Sequence, residues 1–158
     1  SVVATEAFSV TRAIPPPTIE ELDIPRLRQA NFDNRFNLLG VDLRPLQVRR
    51  GEAVHISLYW QALAKPGSDY LVSVLMTDDE GNVLDELLRE PVDGYYPTTL
   101  WADGEVVRDR FDLFPDSSVP SGRHRVWVRL YNPSTQTYVP LAGSENDRVR
   151  VGKVRVVP

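Results

Sequence analysis

AVHISLYWQ, residues 53 to 61, alternates with a period of two: Val54, Ile56, Leu58 and Trp60 share one parity, and His55, Ser57, Tyr59 and Gln61 the other. Successive side chains of a β-strand point to opposite faces, so this stretch reads as a strand with one face buried and one facing water. A helix would need apolar residues three and four apart. No segment sustains that spacing beyond one or two turns, TIEELDI (18 to 24) coming nearest.

The same period recurs on both sides of this strand. YLVSVLMTD, from Tyr70, sends Tyr70, Val72, Val74 and Met76 inward and keeps Leu71 and Leu75 in its outward set, so its outer face is expected to be partly covered. DDEGN follows and then VLDELLRE, which predicts a hairpin over 70 to 90 with Gly81 and Asn82 supplying the positive φ of a tight turn. RHRVWVRLY (123 to 131) places His124, Val126, Val128 and Leu130 on one side and Arg125, Trp127, Arg129 and Tyr131 on the other. In the last run, DRVRVGKVRVVP, the valines change parity. A β-bulge at Gly152 would return Val149, Val151, Val154 and Val156 to one face.

Runs of this kind follow one another at intervals of about 8 to 12 residues from Phe36 onward, which predicts an all-β fold. The expected architecture is a two-layer antiparallel β-sandwich, immunoglobulin-like or jelly-roll-like, spanning 36 to 158. Residues 1 to 35 are expected to form an N-terminal arm and a Pro-rich linker, with AFSVTR as a lone strand and AIPPPTIEELDIPRLRQANFDNR (13 to 35) as the linker.

The totals narrow the chemistry. A chain of 158 residues suits one domain with one core. Its net charge of −4 offers no bulk attraction to nucleic acid, so no nucleic-acid partner is expected. The charge is uneven: residues 1 to 122 hold 11 basic and 20 acidic side chains, and residues 123 to 158 hold 7 and 2. Paired strands are expected to interleave these charges on one surface. Without cysteine there are no disulfides, thiolate metal sites or cysteine nucleophiles. No apolar run is long enough to span a bilayer and SVVATEAFSVTR lacks the pattern of an export signal, so no direct membrane insertion of this segment is expected, and any anchor would lie outside it.

Catalytic signals are missing as well. Nucleophilic catalysis needs a base near its nucleophile, and the two histidines, His55 and His124, sit on strands with no partner motif. There is no G-x-S-x-G elbow, phosphate-binding glycine loop or zinc-spaced histidine pair. Asp78, Asp79 and Glu80 cluster in a turn, without the alternating spacing of a calcium loop. The domain by itself is therefore expected not to be an enzyme and to use no cofactor and no metal.

Two groups of residues stand out as candidate sites. YPTTLWADGEVVRDRF (96 to 111) precedes and enters a strand in which Val107, Phe111 and Leu113 point inward and Asp109 falls among them. A buried carboxylate must pair with an arginine or accept hydrogen bonds from a nearby loop, and Tyr95, Tyr96, the threonine hydroxyls and the Trp101 indole are the donors on offer. The stretch reads either as a crossover pinned by Trp101 and tethered by Asp109, or as a sugar site on Tyr95, Tyr96 and Trp101. The second group is an outer face carrying Leu71, Leu75, Trp127 and Tyr131, rimmed by Arg125 and Arg129. It would dock a protein partner or stack a sugar on Trp127, unless AFSVTR covers it.

LLGVDL (38 to 43), AVHISLYWQAL (53 to 63), DEGNVL, the Y-P-T-x-x-W-x-x-G-E-x-x-x-D run and VPSGRHRVWVRLYNPSTQ occur in an order that resembles an extracytoplasmic β-sandwich accessory domain of bacterial polytopic membrane proteins similar to protein mannosyltransferases. The resemblance covers roughly residues 31 to 157. It implies a non-catalytic module on the extracytoplasmic side of a bacterial membrane, part of a larger protein related to glycosyl transfer. Its implied partners are its own membrane-embedded portion or a neighbouring protein, and the alternative is a carbohydrate-binding module that meets a glycan.

Overall fold

A computed structural model describes residues 27 to 158 of the chain. AFSVTR, TIEELDI and most of the expected linker lie outside the described residues. Within them run β1 (Leu27–Phe32), β2 (Phe36–Arg44), β3 (Gln47–Arg49), β4 (Val54–Ala62), β5 (Leu71–Thr77), β6 (Val83–Arg89), β7 (Val106–Leu113), β8 (Gly122–Asn132), β9 (Thr137–Tyr138) and β10 (Arg148–Val157). Two short 3-10 turns, Pro91–Gly94 and Thr98–Leu100, interrupt the connection from β6 to β7.

The strands form two packed sheets, ordered β1-β2-β4-β7 and β3-β10-β8-β5-β6, with β9 beside β8. The fold is an all-β sandwich. Taking β2, β4 and β7 as strands A, B and E and β5, β8 and β10 as C, F and G gives the immunoglobulin order, with β6 beside β5 as in variable-type domains. At the cis Arg44–Pro45 bond the chain passes from the first sheet to the second, where β3 pairs parallel with β10.

The sandwich begins before Phe36. β1 pairs antiparallel with β2, so a strand occupies part of the stretch expected to be a linker. Its Ala30 and Phe32 are buried on one parity. The prolines and acids upstream dominated the composition of that stretch and hid a two-residue period too short to register. Asp33 and Asn34, at φ of 54° and 57°, turn the chain into β2, and the Asn31 side chain accepts the Asn34 N–H at 2.7 Å.

The hairpin of β5 and β6 lies where the sequence predicts it, with one difference in its turn. Gly81 takes a φ of 87°, whereas Asn82 stays out of the left-handed region. Asp78 accepts from the Glu80 and Asn82 backbone N–H groups and from the Asn82 amide, each at 2.9 Å, so a side-chain cap does the work expected of a second special backbone. In β10 the register shifts between Arg150 and Gly152, leaving Val151 as the extra residue of a bulge beside Gly152. Val151, Val154 and Val156 are thereby all buried, and Val149 packs against the core partly buried.

One end of the core is aromatic. The Phe36 ring stands edge-on to Tyr70 at 4.9 Å, to Trp101 at 5.7 Å and to Trp60 at 6.5 Å between centroids. Trp60 belongs to the first sheet, Tyr70 leads into the second and Trp101 sits on the connection between them, so this corner joins all three. Replacing Phe36 by Ala is expected to cost about 3 to 5 kcal/mol in urea unfolding, as for other buried aromatic truncations. Phe114→Ala, at a ring 56% exposed, should change stability far less.

Candidate functional site

The connection from β6 to β7 leaves the edge of one sheet and enters the edge of the other. Trp101 fills its inner side, 1% exposed, and its indole N–H donates to the Tyr96 carbonyl at 3.0 Å. The Tyr96 ring stacks on the indole at 6.4 Å, and its hydroxyl donates to the Glu105 carboxylate, 2.8 and 2.9 Å from the two oxygens. Glu105 in turn accepts the Ala102 N–H at 2.8 Å. Thr98 is buried between this connection and the start of β5, accepting the Tyr70 N–H at 2.9 Å and donating to the Ser68 carbonyl at 2.6 Å. Tyr95, in contrast, is 86% exposed. The tyrosine pair is thus divided, and Trp101 offers no open ring face on which a sugar could stack.

Asp109 is 0% exposed on the inward parity of β7. Its Oδ1 accepts the Val92 N–H at 2.8 Å and faces Arg89 Nη1 at 3.4 Å, while Oδ2 has no hydrogen-bond partner. The donors differ from those the sequence offered: Tyr96 bonds Glu105, Thr98 bonds Ser68, and the indole bonds a carbonyl. Arg89 is the residue the sequence reading missed. It lies at the end of β6 on an inward position opposite Val72, from which it donates to the Glu90 carbonyl at 2.8 Å and to the Arg110 carbonyl, and pairs with Asp93 at 3.2 Å. Its guanidinium carbon sits 3.8 Å from the Phe111 ring centroid. Period-two reading places an arginine there among apolar neighbours and gives no sign that β7 runs alongside.

Burial pushes the Asp109 carboxyl above its ordinary value of 3.8, outweighing the Val92 hydrogen bond and the Arg89 charge that pull it down. The clasp also holds Val92 and Asp93 in left-handed backbone, at φ of 53° and 52°. For a β-branched valine that conformation is disfavoured, and the Asp109 acceptor and partial burial of the side chain fix it.

The second candidate group lies on the outer face of β5 and β8, where Leu71 opposes Tyr131, Ser73 opposes Arg129 and Leu75 opposes Trp127. Leu75, Ser73 and Thr77 are buried, so Leu75 belongs to no surface and Leu71 is only half-buried. The roof is built from their own neighbours. Trp127 Nε1 donates to Thr77 at 2.8 Å on one side of Leu75, and Arg129 reaches Glu86 at 2.9 Å on the other, where Ser73 also donates to Glu86 at 2.6 Å. Arg148 lies over the Trp127 ring at 4.4 Å, Arg129 over Tyr138 at 3.9 Å, and Tyr131 packs on Tyr138 at 5.1 Å. Arg125 pairs with Asp79 at 3.7 Å. The expected apolar docking patch is a ladder of cation–π and ion pairs, closed by strand register that a single strand's sequence does not display.

The two histidines take separate places. His124 is buried with Nε2 at 2.6 Å from the Pro120 carbonyl, and the exposed His55 pairs with Asp112 at 2.7 Å. Among the described residues no three His, Asp or Glu side chains are placed to hold a metal ion.

A further site appears only in three dimensions. At one end of the sandwich, the β1–β2 turn, the β4–β5 loop and the β8–β9 turn surround an open cleft of about 400 Å³. Its lining includes Asp33, Arg35, Ser68, Asn132, Thr135 and Thr137, with Tyr70, Val139 and Pro140 supplying apolar surface. Arg35 pairs with Asp33 at 3.6 Å, Ser134 donates to Ser68 at 3.1 Å across the two loops, and the Thr135 and Thr137 hydroxyls are 2.7 Å apart. The sequence signal is three clusters of turn residues, each unremarkable alone. Their convergence follows from the immunoglobulin order, which gathers these loops at one end.

No protein-family model matches this sequence, and no curated protein matches it. Solved structures do resemble it. The C-terminal domain of wzt aligns with a TM-score of 0.59 at 12% identity, over 85% of this chain and 80% of that one. Pseudomonas fluorescens alkylpurine DNA glycosylase AlkC gives 0.49 at 11%, over 78% of this chain and 31% of that one. Bacteroides uniformis β-glucuronidase gives 0.48 at 12%, over 78% and 13%. At these identities the first likeness is one of fold alone, and the other two are too slight to carry an argument.

The clasp gives a pH signature. With its pKa raised, folded Asp109 holds a proton that the unfolded chain has released, so stability falls as pH rises from 3.8 through the folded value and is then level. Asp109→Asn should make that falling slope shallower, leaving the smaller part that Asp85, also raised by burial, contributes, while adding a pH-independent cost for its buried amide; urea unfolding at a series of pH values reads it. A slope undiminished by the substitution would refute the assignment. Trp101→Ala should cost about 3 to 5 kcal/mol in the same assay, the amount expected of a packed aromatic.

Proposed function

We propose that this chain is a non-catalytic accessory domain that binds carbohydrate at its loop end, and that it belongs to a protein related to glycosyl transfer on the extracytoplasmic side of a bacterial membrane. The observation that carries the binding reading is the cleft between the β1–β2, β4–β5 and β8–β9 connections. A sugar hydroxyl both donates and accepts, and so do the serine and threonine hydroxyls and the Asn132 amide that line it. Asp33 and Arg35 add a charged acceptor and donor at the rim. Such a set matches a polyol better than an apolar ligand or a highly charged one.

The extracytoplasmic and membrane-protein parts of the reading rest on the motif order of residues 31 to 157. They imply a long reading frame with apolar segments outside this sequence, and a neighbour for the domain in its own membrane-embedded portion. Docking through the outer face of β5 and β8 is the weaker alternative, because Leu75 is buried there and Trp127 and Arg129 already have partners.

Glycan-array screening followed by titration calorimetry tests the site. Thr137→Val and Arg35→Ala are expected to weaken binding by about tenfold or more, the loss of one or two polar contacts, with the melting temperature nearly unchanged. Trp127→Ala should leave the affinity intact. Binding abolished by Trp127→Ala and indifferent to the cleft variants would overturn the reading in favour of a sugar platform on the outer face.

A further inference from the structure

The basic residues of the C-terminal segment interleave with acids only in part, less than the sequence reading expects. Pairing of β10 with β8 sets Arg148 opposite Arg129, Lys153 opposite Arg125 and Arg155 opposite Arg123. Like charges directly opposite on one face of an antiparallel pair repel. Part of this repulsion is relieved within the fold, since Arg129 pairs with Glu86, Arg125 with Asp79, and Arg148 rests on Trp127. Arg123, Lys153 and Arg155 have no carboxylate partner among the described residues.

These three cations share one concavity. β3 runs parallel to β10 and sets Gln47 beside Arg155, so Gln47, Arg155 and Arg123 form a row across three strands with Lys153 next to it. Together with Leu46, which is 49% exposed, they line a cleft of about 310 Å³ whose described lining holds no acid. Uncompensated cations that face one another destabilise a sheet unless an anion joins them. Two guanidinium forks and an ammonium converging on one small cleft match the several oxygens of a tetrahedral oxyanion, and the Gln47 amide adds a neutral donor.

We propose that the cleft formed by Arg123, Lys153 and Arg155 at the junction of β3, β10 and β8 is a binding site for a phosphate-type oxyanion group. Arg123 stands at the start of β8, and Asn132 of the loop-end cleft stands at its finish, so the two sites occupy opposite ends of that strand. The inference therefore stands or falls independently of carbohydrate binding.

The test titrates the full chain with pyrophosphate, against sodium chloride at matched ionic strength, by calorimetry and thermal unfolding. Pyrophosphate should bind and raise the melting temperature beyond the chloride control. Arg123→Gln and Arg155→Gln should each weaken that binding by about tenfold or more, as expected for loss of a charge-assisted contact, while remaining at least as stable as wild type without the anion. Arg110→Gln, an exposed arginine of β7 on the other sheet, should bind as wild type does. Vesicles of phosphatidylglycerol in phosphatidylcholine separate the sources of the group: vesicle binding that pyrophosphate displaces assigns it to a lipid headgroup, and pyrophosphate binding without vesicle binding assigns it to a soluble phosphorylated ligand. Equal responses to pyrophosphate and chloride, or affinities unchanged in both arginine variants, would overturn the site. Vesicle binding that pyrophosphate cannot displace would also overturn it, since that behaviour belongs to a charged plane.

Discussion

Two sheets share one apolar layer in this protein, and every connection between them has to cross the rim without opening that layer to water. The passage from β6 to β7 meets the demand with a clasp in which Arg89 and the Val92 N–H converge on Asp109. A carboxylate on the inward parity of a strand would be ruinous alone. Placed where the two sheet edges approach, it anchors the backbone of the crossover, and the guanidinium closes over Phe111. The raised pKa of Asp109 shows that burial still outweighs these partners.

Trp101 completes the closure at the aromatic end. Its indole packs edge-on to Phe36 and its N–H returns to the Tyr96 carbonyl, so one residue seals the core and ties the crossover to itself. The residues with the most conspicuous chemistry in the sequence are consequently engaged inside the fold. Trp127 and Arg129 follow the same logic on the outer face, where they roof Leu75. Two of the open clefts lie at the two ends of the second sheet: one lined by hydroxyls among loops, and one lined by cations among strand ends. Loops and strand ends held by a packed scaffold are where binding residues commonly sit.

The charge asymmetry illustrates how register changes the meaning of a composition. Read along the chain, the basic C-terminal segment looks like alternating solvated positions. Pairing converts alternation into opposition, because residues of equal parity on neighbouring strands face each other. Glu86 and Asp79, from β6 and the turn before it, answer two of the arginines. The far end of β8 lies beyond their reach, and its cations stay open.

The sequence by itself determined the fold class, the positions of β4 to β8 and of β10, the β5–β6 hairpin, the bulge beside Gly152 and the buried placement of Asp109. All of these follow from two-residue periodicity and local turn chemistry, which act over a few neighbouring residues and are written in them. It concealed β1, whose short pattern sits behind prolines and acids, and it named the wrong loop side chains as donors to Asp109, although the expected arginine pairing and loop hydrogen bond are both present. Only the tertiary structure decided that Arg89 is the partner, that Leu75 is covered, and that three distant loops form one cleft. Those outcomes depend on which strands become neighbours and in what register, and that choice is made by the packing of the two sheets as a whole rather than by any one segment.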